Sequence, residues 1–294
     1  MIYTYPKFVP VSLGLRPQIH KIVLESQSGI SGWTFSNIYL FRKKYSFEIC
    51  LQENNLLITG RYNGKTFFSV FGEIPPQDIL DELLKKYDYW RSISEKQFEQ
   101  LNGKIAGVQE DRNNFEYLYL RTDLAELPGR IFQKKRNLVN VFRKKYKENR
   151  EQKKIDANTL KDALHILDEW KKLKGVNGDY DSAREALELH KELELSGMVF
   201  YVNGIPVGYC QGETLADNKS FAVHFEKAIN EKGAYQYINQ EFAKSLPQNI
   251  MYINREQDLG DEGLRQAKMT YRPVGFVKLF CSGKCNPAPQ STLI

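Results

Sequence analysis

The sequence predicts an α/β protein of the α+β kind, built as two tandem domains, each a mixed, mainly antiparallel sheet flanked by helices. Three observations carry this. The chain has 294 residues, 41% of them hydrophobic, together with 20 glycines, which suits two domains of ordinary size. Two-residue turns, Asn63-Gly64 and Asn203-Gly204, each join strand-like runs, which is a hairpin signature. Both halves then continue into helical and strand-like stretches, without close internal sequence repetition.

Strand-like stretches cover 36–40, 47–51, 56–62 and 66–70. After Pro75-Pro76, residues 78–87 place Ile79, Leu83 and Leu84 on one helical face, and a strand at 115–120 follows. Phe132, Val139, Phe142 and Tyr146 then recur at multiples of three to four, the pattern of an amphipathic helix with a cationic outer face. Residues 130–154 hold eleven Lys or Arg against two Glu, so the net charge of +6 is concentrated there. The polar run 147–154 marks the expected boundary: residues 1–150 form a degenerate first domain ending in the basic helix, and residues 151–280 form a second with the candidate cleft. In the second, Leu160, Ala163, Leu164, Leu167 and Trp170 form one apolar stripe, stopped by Gly175. Ala183, Ala186, Leu187, His190 and Leu193 form another, closed by Gly197. Strands at 199–202, 207–211 and 220–226, a helix at 235–246, a strand at 250–254, a helix and a last strand ending at 280 complete it. Residues 281–294, with Pro287 and Pro289, read as a tail.

No apolar run approaches the roughly 18 residues needed to cross a bilayer, and the N-terminus lacks the features of a secretory signal. A cytoplasmic protein is expected, with peripheral membrane association through the basic helix as the variant. Cys50 and Cys210 lie in strand-like runs and read as core thiols. Cys281 and Cys285 bracket Ser-Gly-Lys with no histidine nearby, too few ligands for a metal site, so neither a metal nor a tightly bound cofactor is expected.

Strict alternation along 220–226 puts Phe221, Val223 and Phe225 on one face and Ala222, His224 and Glu226 on the other. Glu226 then reads as a general base with His224 orienting or polarising, or the two are a satisfied histidine and a strand-end glutamate. Lys232, Gly233, Ala234 and Tyr235 open a helix, where backbone N–H groups can hold phosphate. Asn254, Arg255, Asp258, Asp261, Arg265 and Lys268 make a charged segment after the next strand. Its cations suit an anionic donor or an aminoacyl group, and either aspartate suits a helix cap.

The closing Ala267-Lys-Met-Thr-Tyr271-Arg-Pro-Val-Gly275-Phe276 resembles the end of a Gcn5-related N-acetyltransferase domain. That resemblance makes Tyr271 a proton donor to a departing thiolate or ribose oxygen. Of the phosphate-loop pattern of such domains, only Gly233 is matched clearly. The segments 119–137, 223–228, 233–243 and 252–268 are similar to the family that shares the C-terminal domain of phosphatidylglycerol lysyltransferase. This similarity spans almost the whole chain and implies tandem Gcn5-type domains, as in the Fem aminoacyltransferases. It implies transfer of an amino acid from aminoacyl-tRNA, or of an acyl group from acyl-CoA, to an amine or hydroxyl of a small molecule or lipid. Glu226 would deprotonate the acceptor, and backbone N–H groups around 223–226 would hold the oxyanion. Lys134, Lys135, Arg136, Arg143, Lys144 and Lys145 would meet tRNA or an anionic lipid surface through phosphate contacts. The alternative is a non-catalytic module of the same fold that binds RNA or anionic lipid through this helix.

Overall fold

The computed structural model describes residues 2–101, 103–147, 149–175 and 178–283. The elements begin β1 (Val9–Pro10), α1 (Arg16–Glu25), α2 (Phe35–Tyr45), β2 (Glu48–Gln52), β3 (Asn55–Tyr62) and β4 (Lys65–Phe71). They continue α3 (Gln77–Lys86), β5 (Tyr89–Ser94), α4 (Glu95–Leu101), β6 (Gln109–Glu110), β7 (Glu116–Leu120) and α5 (Arg121–Glu126). Next come α6 (Gln133–Lys145), β8 (Arg150–Lys154), α7 (Leu160–Lys174), α8 (Tyr180–Glu188), β9 (Ser196–Val202) and β10 (Ile205–Thr214). The last are β11 (Ser220–Ala228), α9 (Ala234–Ser245), β12 (Tyr252–Asn254), α10 (Glu262–Met269), β13 (Gly275–Val277) and β14 (Leu279–Gly283).

The described residues divide into two compact units, one of 2–116, 257–260 and 276–283, the other of 117–256 and 261–275. The first sheet runs β1-β2-β3-β4-β5-β14-β6, in which β4 and β5 are parallel and the other neighbours antiparallel. Its core joins Cys50, Leu57, Phe68, Val70 and Trp90 of the sheet to Leu80 and Leu83 of α3 and Leu101 of α4. The second sheet runs β13-β7-β12-β11-β10-β9-β8, with β11 and β12 parallel and the pairings outward from them to β7 and β8 antiparallel. Both Asn-Gly turns form as read, with positive φ at all four residues, as this tight hairpin requires. Cys50 and Cys210 are buried free thiols, as expected.

Four expectations need correction. The boundary at 150 falls instead after 116, because β7 pairs with β12, β8 pairs with β9, and Phe142 of α6 stacks on Tyr237 of α9 at 4.9 Å. The run 147–154 is therefore partly a strand rather than a linker. Residues 281–283 are not tail but the end of β14, paired with β5. The stretch 36–40 lies in helix α2: Thr34 caps it by accepting from the Asn37 N–H at 3.1 Å, and Phe35, Ile38 and Tyr39 are buried at helical spacing. Its aromatic and branched residues read as a strand because propensity yields to packing. Finally, α8 stops at Glu188, so His190 and Leu193 are buried beyond the helix, and Gly197 lies within β9.

One irregularity positions everything that follows. In the β10–β11 ladder, Gln211 faces Phe225 but Gly212 faces Val223, so β11 carries one extra residue, His224, as a bulge. Alternation reverses there. Phe221 before the bulge meets Phe242 of α9, ring centroids 5.4 Å apart, yet Glu226 after it also reaches α9, while Lys227 turns to Trp170 of α7. Strict alternation would have placed Phe221 and Glu226 on opposite faces. The parallel pairing of β11 with β12 also ends at this point, with Ala222 opposite Asn254.

Gly212 supports this kink, since a Cβ there would collide with the Ala222 carbonyl and come within 2.9 Å of the Phe221 ring. Gly212→Ala should cost at least about 2 kcal/mol. An unchanged unfolding temperature would contradict that.

Candidate active site

Where β11 and β12 part, Glu226 and Arg255 meet. Glu226 Oε2 accepts from Arg255 Nη2 at 3.2 Å and from Asn239 Nδ2 at 3.3 Å. The side chains are 8% and 17% exposed, so this is a largely desolvated pair. Glu226 Oε1 accepts no hydrogen bond among the described residues, and the buried Asn239 Oδ1 likewise has no partner. Two acceptors therefore stand open on neighbouring side chains, and the one on Asn239 is buried without a partner, which is rare.

Tyr271 closes the cluster, following α10 rather than lying within it. Its ring lies 5.2 Å from the Arg255 guanidinium carbon and packs edge-on against Tyr119, whose hydroxyl donates to the Lys268 carbonyl. Burial pushes the Tyr271 phenol well above its ordinary value, although Arg255 pulls the other way and Gln236 is a hydrogen-bonding neighbour. The phenol is thus held as a donor at neutral pH. Above the ring sits Lys135 of α6, Nζ 3.8 Å from the centroid. Burial, reinforced by Arg255, lowers the Lys135 amine to about 8.

The other expected residues fall elsewhere. His224, the bulge residue, does not reach Glu226: Nδ1 bonds Glu256 at 2.8 Å and Nε2 bonds Glu213 at 2.9 Å. Burial opposes its charge, but the two carboxylates outweigh this and lift the imidazole to about 10, making it a pinned imidazolium. Lys268 donates to the Arg255 and Glu256 carbonyls, which fixes the loop that carries Arg255. Asn254 is fully buried and accepts from the Glu256 N–H. Asp261 caps α10 through the Leu264 N–H, and Asp258 pairs with Arg112. Arg265 is half-buried on α10, and Lys232 is exposed.

The opening of α9 is occupied by protein. Gly233 has φ +88°, and a Cβ there would strike the Leu138 carbonyl of α6, so this glycine is required by packing. Ala234 is buried, and burial lifts the Tyr235 phenol to about 12. Glu231, just ahead, pairs with Lys145 at 2.7 Å. The basic helix is correspondingly tied down: Arg143 pairs with Glu241 at 2.6 Å, and Arg136 bonds the Leu127 and Gly129 carbonyls. Lys134 is exposed and, like Lys144, points to solvent rather than into an ion pair among the described residues. No group of three or more His, Cys, Asp or Glu among the described residues is placed to hold a metal ion. Cys281 is buried and disulfide-bonded, and Cys285 lies outside the described residues.

Asn239, Gln236 and the inward role of Lys135 were missed by the sequence reading. A signal existed for each. Residues 132, 135, 139 and 142 continue one helical stripe, so Lys135 occupies a core-facing position between Phe132 and Val139. Gln236 and Asn239, three apart on α9, share a helical face.

If His224 is a structural cation, its removal should be felt as stability with a definite pH sense. Its folded pKa exceeds the free value of 6.5, so its contribution is complete below about 6.5 and is lost as pH rises through about 10. His224→Gln should destabilise by about 3 kcal/mol at pH 6, and the gap to the parent should narrow towards pH 10. A gap independent of pH would exclude a charged histidine.

Comparisons with known proteins bear on the family and the fold. The family model described as phosphatidylglycerol lysyltransferase, C-terminal, matches residues 25–282. A crystal structure of a conserved protein of unknown function from Bacteroides thetaiotaomicron VPI-5482 is 30% identical, with TM-score 0.84, covering 96% of this chain and 99% of that one. The structure of L-PGS from Bacillus licheniformis shares the fold at 13% identity and TM-score 0.64, covering 98% of this chain and 96% of that one. An uncharacterized protein of Mycoplasmoides gallisepticum is 23% identical over 274 residues, which is 84% of this chain and 88% of the other. The two sheet-and-helix units are a tandem Gcn5-related acyltransferase-like architecture. The chain belongs to the phosphatidylglycerol lysyltransferase C-terminal domain family, and with it to the acyl and aminoacyl transferases.

Proposed function

We propose that the chain transfers an aminoacyl group from aminoacyl-tRNA to a hydroxyl of phosphatidylglycerol, using the cleft between β11 and β12. The observation that carries the donor assignment is the pair of open acceptors, Glu226 Oε1 and Asn239 Oδ1. A group with several N–H donors and a positive charge satisfies both, and the α-ammonium of an aminoacyl ester is such a group. The acyl part of an ordinary acyl-CoA has none. The Leu138 carbonyl against Gly233 and the Glu231 carboxylate ahead of α9 also disfavour a pyrophosphate at that helix opening. The family name supplies the acceptor.

In this reading, Glu226 anchors the donor rather than serving as the base. The neutral amine of Lys135 accepts the proton of the attacking hydroxyl as its oxygen bonds to the ester carbonyl carbon. Arg255 and backbone N–H groups of β11 beyond Ala222 stabilise the resulting oxyanion. Collapse breaks the bond to the ribose oxygen, which takes the Tyr271 proton. Return of the Lys135 proton to the phenolate completes the cycle, with no net change in the protein.

Three outcomes follow for transfer assayed with lysyl-tRNA and phosphatidylglycerol vesicles. Asn239→Leu should raise KM for lysyl-tRNA at least about tenfold, the loss of a hydrogen bond to a charged group, and acetyl-CoA should be no donor. Tyr271→Phe should lower kcat by roughly a hundredfold with little change in KM. The parent kcat should rise with pH through about 8, where Lys135 loses its proton, and Lys135→Gln should abolish that rise. Turnover with acetyl-CoA, or a flat parent profile, would overturn the respective assignment.

A further inference from the structure

The first unit has its own parting of parallel strands, and an arginine stands in it at the position matching Arg255. The β4–β5 register ends with Phe68 opposite Trp90, and Arg91 follows directly, as Arg255 follows Asn254. The compensating carboxylate is missing from the match. Glu226 lies four residues past the last paired position of β11, one of them the bulge, and neither Phe71 nor Gly72, three and four past it after β4, is a carboxylate.

Arg91 instead lies among aromatic rings. Its guanidinium carbon is 4.8 Å from the Tyr45 ring centroid, 5.3 Å from Phe67 and 6.0 Å from Tyr62. The Tyr45 and Tyr62 rings are 5.4 Å apart, and Phe67 and Tyr89 are 5.5 Å apart. Lys44 adds a second cation, 5.8 Å from the Tyr45 ring. Burial opposes the charge on Arg91, and the phenols of Tyr45 and Tyr89 offset this more than the carboxylate of Asp111 does. Burial would likewise raise the Tyr45 phenol, yet Arg91 and Lys44 hold it below its ordinary value. Ring faces ease the desolvation of a guanidinium, the Tyr45 hydroxyl accepts from it, and no carboxylate bonds its fork among the described residues. Arg91 keeps part of its surface in solvent.

We propose that Arg91, with the hydroxyls of Tyr45, Tyr62 and Tyr89 as further donors, forms a phosphate-binding site in the first unit. A phosphate oxygen pair matches the guanidinium fork, and its remaining oxygens accept from phenols. This site stands independently of the transfer chemistry assigned to the second unit.

Calorimetric titration of the full chain with inorganic phosphate, with glycerophosphoglycerol and with phosphatidylglycerol vesicles tests it. At least one probe should bind, and Arg91→Gln should weaken that binding tenfold or more, whereas Glu226→Gln should leave it unchanged. If Arg91→Gln does not fold, Tyr62→Phe on its half-buried ring should weaken binding about threefold. Preference for the diester or the vesicles assigns the site to a lipid headgroup, and preference for inorganic phosphate assigns it to free phosphate. No binding to the parent at millimolar concentration, or equal affinity in parent, Arg91→Gln and Tyr62→Phe, would overturn the proposal.

Discussion

The desolvated ion pair of Glu226 with Arg255 is the constraint on which the second unit is arranged. Two charges removed from water are tolerated only with good geometry and further hydrogen bonds. Here Asn239 bonds the carboxylate, the Tyr271 ring lies against the guanidinium, and Lys268 fixes the carbonyls of Arg255 and Glu256. The bulge at His224 makes the pair possible by turning Glu226 to the α9 side. His224 is itself locked between two carboxylates, so the kink and the charge network support each other. Burial, reinforced by Arg255, depresses Lys135, and burial keeps Tyr271 protonated against the pull of Arg255. A base and an acid thus coexist near neutral pH in one small volume.

Much of the fold was legible because its signals are local. Asn-Gly turns, apolar stripes at helical spacing and the Gly175 cap specify hairpins and helices with no knowledge of partners. Strand exchange was not legible. Residues 115–120 and a last stretch ending at 280 read as strands, but which sheet receives each is set by long-range pairing. The site was half legible for the same reason. Glu226, Arg255 and Tyr271 were named from their order along the chain and do converge. His224 was grouped with Glu226 by strict alternation, which a single inserted residue defeats. Lys135 was submerged in a run of cations that invited reading as a solvated face.

The two units solve the opening of a parallel strand pair differently. In the second, a carboxylate neutralises the arginine and leaves one acceptor oxygen open, suiting a cationic ligand group. In the first, aromatic rings surround the arginine, suiting an anion.

The most direct measurement is a crystal structure of the chain with a stable, amide-linked aminoacyl-adenosine. The account requires the ligand's α-ammonium within hydrogen-bond distance of Glu226 Oε1 and Asn239 Oδ1, with the ribose end toward Tyr271. An ammonium bound elsewhere, with those two acceptors still open, would contradict it.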